Sequence, residues 1–123
     1  MPTAEPYSPV RTQIAGVKIA DLASRFGTPT YVYDAAKIVE RINDLKQFDV
    51  IRYAQKACSN LAILDLVRRN GVVVDAVSAG EVRRALAAGY AVKGTGNRGQ
   101  GTGGHPEIVY TADIFDRESL DLV

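Results

Sequence analysis

Three times after residue 50, a short run of strand-forming residues gives way within a few positions to a segment with helical spacing. This alternation constrains the fold more than anything else in the 123 residues. Strands joined through helices by short links predict right-handed βαβ units on a parallel sheet, the α/β class. The first strand is expected over about 50–55. A helix capped by Ser59 or Asn60 follows it through Arg69, with Ile63, Leu66 and Val67 facing the core. Val72-Val73-Val74-Asp75-Ala76-Val77 is a nearly continuous apolar run, as in a parallel strand buried on both faces. Ser78-Ala79-Gly80-Glu81 has the pattern of a capping box and opens a helix through Ala88, with Gly89 after it. A third strand is expected over 108–112, and Asp116 caps a last helix that starts at about Arg117.

Upstream the pattern is less regular. Residues 1–14 read as loose. Val17 to Phe26 has helical spacing and ends on Gly27. Thr30-Tyr31-Val32-Tyr33 is rich in β-formers and is expected to be a strand. Asp34 is the expected N-cap of a helix over 35–47.

Composition removes several classes of function. Apolar residues make up 46% and charged residues 24%, which suits one modest globular domain. A net charge of +1, scattered basic residues and only Tyr53, Tyr90 and Tyr110 after Tyr33 argue against nucleic acid and against an anionic membrane surface. No run of about 18 apolar residues exists, so no membrane span is expected. The single cysteine, Cys58, cannot form an intrachain disulfide, and Met1 to Val10 lacks the features of a signal peptide. A reducing, cytoplasmic setting is the expectation.

The residue with the most chemical promise is Lys56. It stands at the end of a strand and just before a helix, where α/β folds carry their chemistry. An amine held there, partly out of water, can attack a carbonyl and form a Schiff base. On spacing alone, a solvated charge is the commoner outcome. Strand alternation puts Arg52, Ala54 and Lys56 on one face. Asp75 interrupts an apolar strand, and a carboxylate there needs a cation or donor such as Lys56, or a backbone N–H. Glu81 and Ser78 are explained by capping alone. Cys58 has no partnered base and reads as packing, and His105 has no metal-ligand spacing around it. Six glycines fall within Lys93 to Gly104, but a helix precedes this stretch and a strand follows it. It therefore reads as a flexible loop and not as a phosphate cradle.

The wording of these segments goes further than their spacing. Tyr53-Ala54-Gln55-Lys56-Ala57-Cys58-Ser59-Asn60, Asp75-Ala76-Val77-Ser78-Ala79-Gly80-Glu81 and Arg84-Ala85-Leu86-Ala87-Ala88-Gly89-Tyr90 resemble the diaminopimelate decarboxylase family. The segments Gly27 to Asp34 and Val109 to Asp113 resemble it too. The resemblance implies an enzyme that uses pyridoxal 5'-phosphate to decarboxylate meso-diaminopimelate to L-lysine. The fold it implies is an eight-stranded (β/α) barrel plus a β-domain. Residues 1–33 would join that β-domain, and 34–123 would supply about three of the eight βα units, with the Gly-rich loop at 93–104. By resemblance, Lys56 is the Schiff-base lysine and Asp75 is the acidic residue near it on the next strand. Glu81 matches an acidic position near the Schiff base in the related ornithine and arginine decarboxylases. A homodimer acting on a small amino-acid substrate is implied for the full-length family. Several of the family's site residues would lie beyond Val123, so a truncated chain is expected. Two other expectations stand beside the main one, a non-catalytic fragment and an ornithine- or arginine-type decarboxylase.

Overall fold

A computed structural model describes residues 10–91, 105–113 and 116–121. The chain divides into two compact units, 1–36 and 37–123. The Gly-rich stretch 93–104 lies outside the described residues.

The first unit opens with an antiparallel hairpin of β1 (Gln13–Ile14) and β2 (Val17–Lys18), with Ile14 opposite Val17. Its two linking residues, Ala15 and Gly16, have φ of 50° and 79°. Positive φ at both positions gives the turn whose twist matches paired strands. The sequence pattern predicts a loose segment over 1–14 and a helix from Val17; the structure instead forms this hairpin over 13–18. The helix α1 (Ile19–Phe26) starts two residues later and ends as expected on Gly27, which has φ of 79°. Its N–H donates to the Ala23 carbonyl. Thr30–Tyr33 forms no strand, and the two-stranded sheet contains only β1 and β2. Aromatic and β-branched residues favour a pleated surface, but they make a strand only where an edge accepts them.

Asp34 accepts a 2.9 Å bond from the Ala36 N–H at the start of α2 (Ala35–Asp44). This helix is shorter than the expected 35–47. Beyond Asp44 the chain tightens into three-residue turns, with Leu45 N–H bonding Ile42 and Lys46 N–H bonding Asn43. The second unit is then built on β3 (Arg52–Ala54), β4 (Val73–Ala76) and β5 (Ile108–Tyr110), a parallel sheet in that order. The register brings Ala54, Asp75 and Val109 into one row. The helices α3 (Leu61–Arg69) and α4 (Ala79–Ala87) connect successive strands, and α5 (Arg117–Leu120) follows β5. The alternation in the sequence is thus realised as an α/β fold with a parallel sheet.

One face of the sheet is covered by helices. Val74 and Ala76 of β4 and Ile108 of β5 pack with Leu64 of α3 and with Val82 and Ala85 of α4, and Tyr53 and Tyr110 border the cluster. Burying each large aliphatic side chain contributes roughly 1.5–3 kcal/mol. A second cluster joins Ile42 of α2 to Ile63 and Val67 of α3 and to Val72, with Tyr53 and Cys58 against it. Tyr53 therefore touches both. Tyr90 is buried where α3 and β4 meet, and its hydroxyl donates to the Val72 carbonyl at 3.0 Å.

Candidate active site

Alternation along the three strands turns Arg52, Ala54, Asp75 and Val109 away from the helix-covered face. Thr111 lies two residues past Val109, just beyond the end of β5 and on the same side. Its N–H donates to the Ala76 carbonyl at 3.0 Å, which carries the register past the end of β5. Its hydroxyl donates to Asp75 Oδ1 at 2.6 Å, a short charge-assisted bond.

Lys56 is the middle residue of a single 3-10 turn, Gln55–Ala57, which follows β3 without a break. It lies at the C-terminal edge of the sheet, as its sequence position suggests. Two details differ from expectation. The residue is exposed rather than partly desolvated, and its amine makes no ion pair among the described residues. Asp75 takes its hydrogen-bond donor from Thr111, because the residue just past the end of β5 offers a hydroxyl on its side while Lys56 has already turned out of the sheet.

The backbone around Lys56 is tied from several directions. Tyr53 Oη donates to the Cys58 carbonyl at 2.9 Å. Arg84 Nη1, from α4, donates to the Ser59 carbonyl at 3.3 Å. Asn60, one of the two expected caps, accepts from the Ala62 N–H at 2.9 Å and starts α3. Burial pushes the Tyr53 hydroxyl above its ordinary range, and charge on the neighbouring Cys58 would add to that. Next to Lys56, Gln55 is buried to 1% exposure, and neither of its amide atoms has a hydrogen-bond partner among the described residues.

Glu81 is accounted for at the start of α4. Its Oε2 accepts from the Val77 N–H at 2.8 Å, and its own N–H donates to Ser78 Oγ at 3.3 Å. The Ser78 bond is the half of the capping box that its spacing predicts, whereas the Glu81 carboxylate reaches one residue further back than the cap, to Val77, and places a negative charge where the helix dipole favours one. Cys58 packs against the second cluster and His105 is exposed. Among the described residues, no group of three or more His, Cys, Asp or Glu side chains could hold a metal. An apolar pocket in the first unit, lined by Ile14, Leu22, Thr30 and Val32 among others, contains none of the candidate residues.

Thr111 and Tyr53 are the contributors that sequence reasoning missed. The sequence places both in strands, but their partners depend on strand pairing and on the path of the turn. Chemically, the arrangement offers an exposed primary amine, without an ion pair among the described residues, on a tethered turn, which suits condensation with an aldehyde. On the row beside β3 it also offers a carboxylate oriented by a hydroxyl.

Fold and site together define an α/β chain that presents an amine at the C-terminal edge of a parallel sheet. The chain belongs to the pyridoxal-dependent decarboxylase family, matching its pyridoxal binding domain over residues 35–123. A diaminopimelate decarboxylase of Streptomyces coelicolor is 55% identical over 106 residues, which cover 85% of this chain and 22% of that protein. The Escherichia coli diaminopimelate decarboxylase is 48% identical over 113 residues, covering 91% of this chain and 24% of its own length. A crystal structure of diaminopimelate decarboxylase matches with a TM-score of 0.67 at 50% identity, over 81% of this chain and 22% of the other. The chain thus spans about a quarter of the length of these relatives. No described helix is long and apolar enough to cross a membrane.

Proposed function

We propose that this chain carries the cofactor lysine of a pyridoxal-phosphate-dependent decarboxylase, whose substrate is meso-diaminopimelate and whose product is L-lysine. The observation that carries this reading is the position of Lys56. It is an exposed amine without an ion pair among the described residues, on a tethered turn at the C-terminal edge of the sheet, in a chain of this family. Lys56 Nζ would hold the cofactor by condensing with its aldehyde and releasing water. When bound, pyridoxal phosphate supplies an electron sink for the pair left behind as a carboxylate departs. Asp75, fixed through Oδ1 by Thr111, would keep positive charge favourable on that side of the sheet. Glu81, which is engaged by the Val77 N–H, would act on the site through the start of α4.

The same proposal extends to the rest of the protein. The three strands would open a (β/α)8 barrel, residues 1–33 would join a β-domain, and the assembly would be a cytoplasmic homodimer. Diaminopimelate is favoured over ornithine or arginine by the names of the relatives reported above. One observation supports a second reading, a fragment that does not turn over substrate by itself: the chain spans only 22–24% of those relatives.

The test supplies pyridoxal phosphate and measures carbon dioxide release from diaminopimelate, ornithine and arginine in parallel. It uses this chain and a longer protein that contains it. Release from diaminopimelate alone, lost in Lys56→Ala, is the expected result for the longer protein. Release that survives Lys56→Ala would overturn the assignment.

A further inference from the structure

We infer that Tyr53 is a positioning residue for Lys56, acting through its hydroxyl on the backbone of the turn that bears the amine. The inference rests on the proposed role of Lys56 and adds a residue to it. The chain between the end of β3 at Ala54 and the cap of α3 at Asn60 is only five residues long, and Lys56 is the second of them. A single 3-10 turn has little internal bonding to hold its shape. What holds it comes from outside. Tyr53 Oη donates to the Cys58 carbonyl at 2.9 Å, and Arg84 Nη1 donates to the next carbonyl, Ser59, at 3.3 Å. Two successive carbonyls are therefore tied to two different elements, β3 and α4.

The tie from Tyr53 is the stiffer of the two. Its ring packs against both hydrophobic clusters, so the hydroxyl sits at a place fixed by the core on either side. Arg84 reaches its carbonyl from an exposed position on a longer and more flexible stem. A lysine side chain has several rotatable bonds, and only its backbone origin can be set by the fold. Fixing that origin determines where the amine can reach, and small displacements of a reacting group are costly. A tyrosine in a core needs only some acceptor for its hydroxyl. Here the acceptor is the loop that carries the candidate amine.

The test compares the unaltered chain with Tyr53→Phe and with Arg84→Gln. Tyr53→Phe keeps the ring and removes one oxygen. Two readouts are taken under conditions where all three proteins are folded. One is amide hydrogen exchange of the segment 55–60 relative to β4 and α4. The other is the share of pyridoxal phosphate, trapped by borohydride, that is found on Lys56 among the chain's five lysines. A purely structural hydroxyl would lower global stability without changing that share. The expected result for Tyr53→Phe is several-fold faster exchange at 55–60, unchanged exchange in β4 and α4, and a several-fold smaller Lys56 share. Arg84→Gln is expected to change both in the same direction by less. Unchanged exchange at 55–60, or an unchanged Lys56 share, in Tyr53→Phe would overturn the inference while a Lys56 adduct in the unaltered chain leaves the functional reading standing. No Lys56 adduct in the unaltered chain would overturn that reading and this inference with it.

Discussion

Asp75 takes its hydrogen-bond donor from Thr111, 36 residues away in sequence and just past the end of β5, through a single hydroxyl. Thr111→Val keeps the shape and removes the donor. Because Asp75 is half exposed, the expected loss is about 1 kcal/mol or less, read as a lower urea midpoint, and no loss would mean that water replaces Thr111 fully. Tyr90 allows a second prediction. Burial holds its hydroxyl well above the ordinary value of 10.0, so the fold favours the neutral form. Below pH 10 both folded and unfolded chains keep this proton, and its contribution to stability is complete. As the pH rises past 10 the unfolded chain releases the proton first, so stability falls. Tyr90→Phe should flatten this alkaline decline, leaving the smaller contribution of Tyr53, whose hydroxyl is raised by burial too. An unchanged slope in urea titrations above pH 10 would contradict that. At this scale the sequence made Lys56 and Asp75 legible, because a strand-end lysine and a carboxylate in an apolar run stand out locally. Thr111 and Tyr53 did not stand out, since their roles come from strand register and from the fold-back of a turn.

Capping decides where α4 starts, and capping is local. Ser78 and Glu81 are readable from a four-residue window, and the Ser78 cap bond is present, while the Glu81 carboxylate takes the Val77 N–H, one residue outside that window. Ser78→Ala should cost about 1 kcal/mol in thermal or urea unfolding. Glu81→Gln keeps an oxygen for the Val77 N–H and should cost less than Glu81→Ala. If Glu81→Gln instead abolished cofactor trapping at Lys56, a direct role for the Glu81 charge would replace the capping account. The end of the same helix is fixed differently. Gly89 has φ of 91°, and a Cβ placed there would come within 3.2 Å of the Arg68 guanidinium carbon. That guanidinium donates to the Ala88 carbonyl at 2.9 Å and to Asp65 at 3.0 Å. Gly89→Ala should therefore cost about 1–2 kcal/mol, from the positive φ and from crowding this clasp. A neutral substitution, measured by urea unfolding, would show that the clasp gives way without cost. Elements whose ends are set by side-chain caps were legible for this reason. The hairpin at 13–18 was missed because Ala15 gives no sign of a positive φ. Thr30–Tyr33 was expected as a strand because composition does not reveal whether an edge is available.

For the molecule as a whole, the repeated strand–helix pattern carried the class of fold, and the structure places β4 between β3 and β5 in parallel. Strand order and register, which bring Asp75 and Thr111 together, could not be read from spacing, because pairing is a property of distant segments. The family reading rests on the wording of five segments, and the family match covers 35–123. The most direct test of the central claim is to incubate the chain with pyridoxal phosphate, reduce with borohydride and map the adduct by peptide mass spectrometry. The account predicts one dominant adduct at Lys56 and its loss in Lys56→Ala. Adducts spread evenly over the lysines, or none at Lys56, would contradict it.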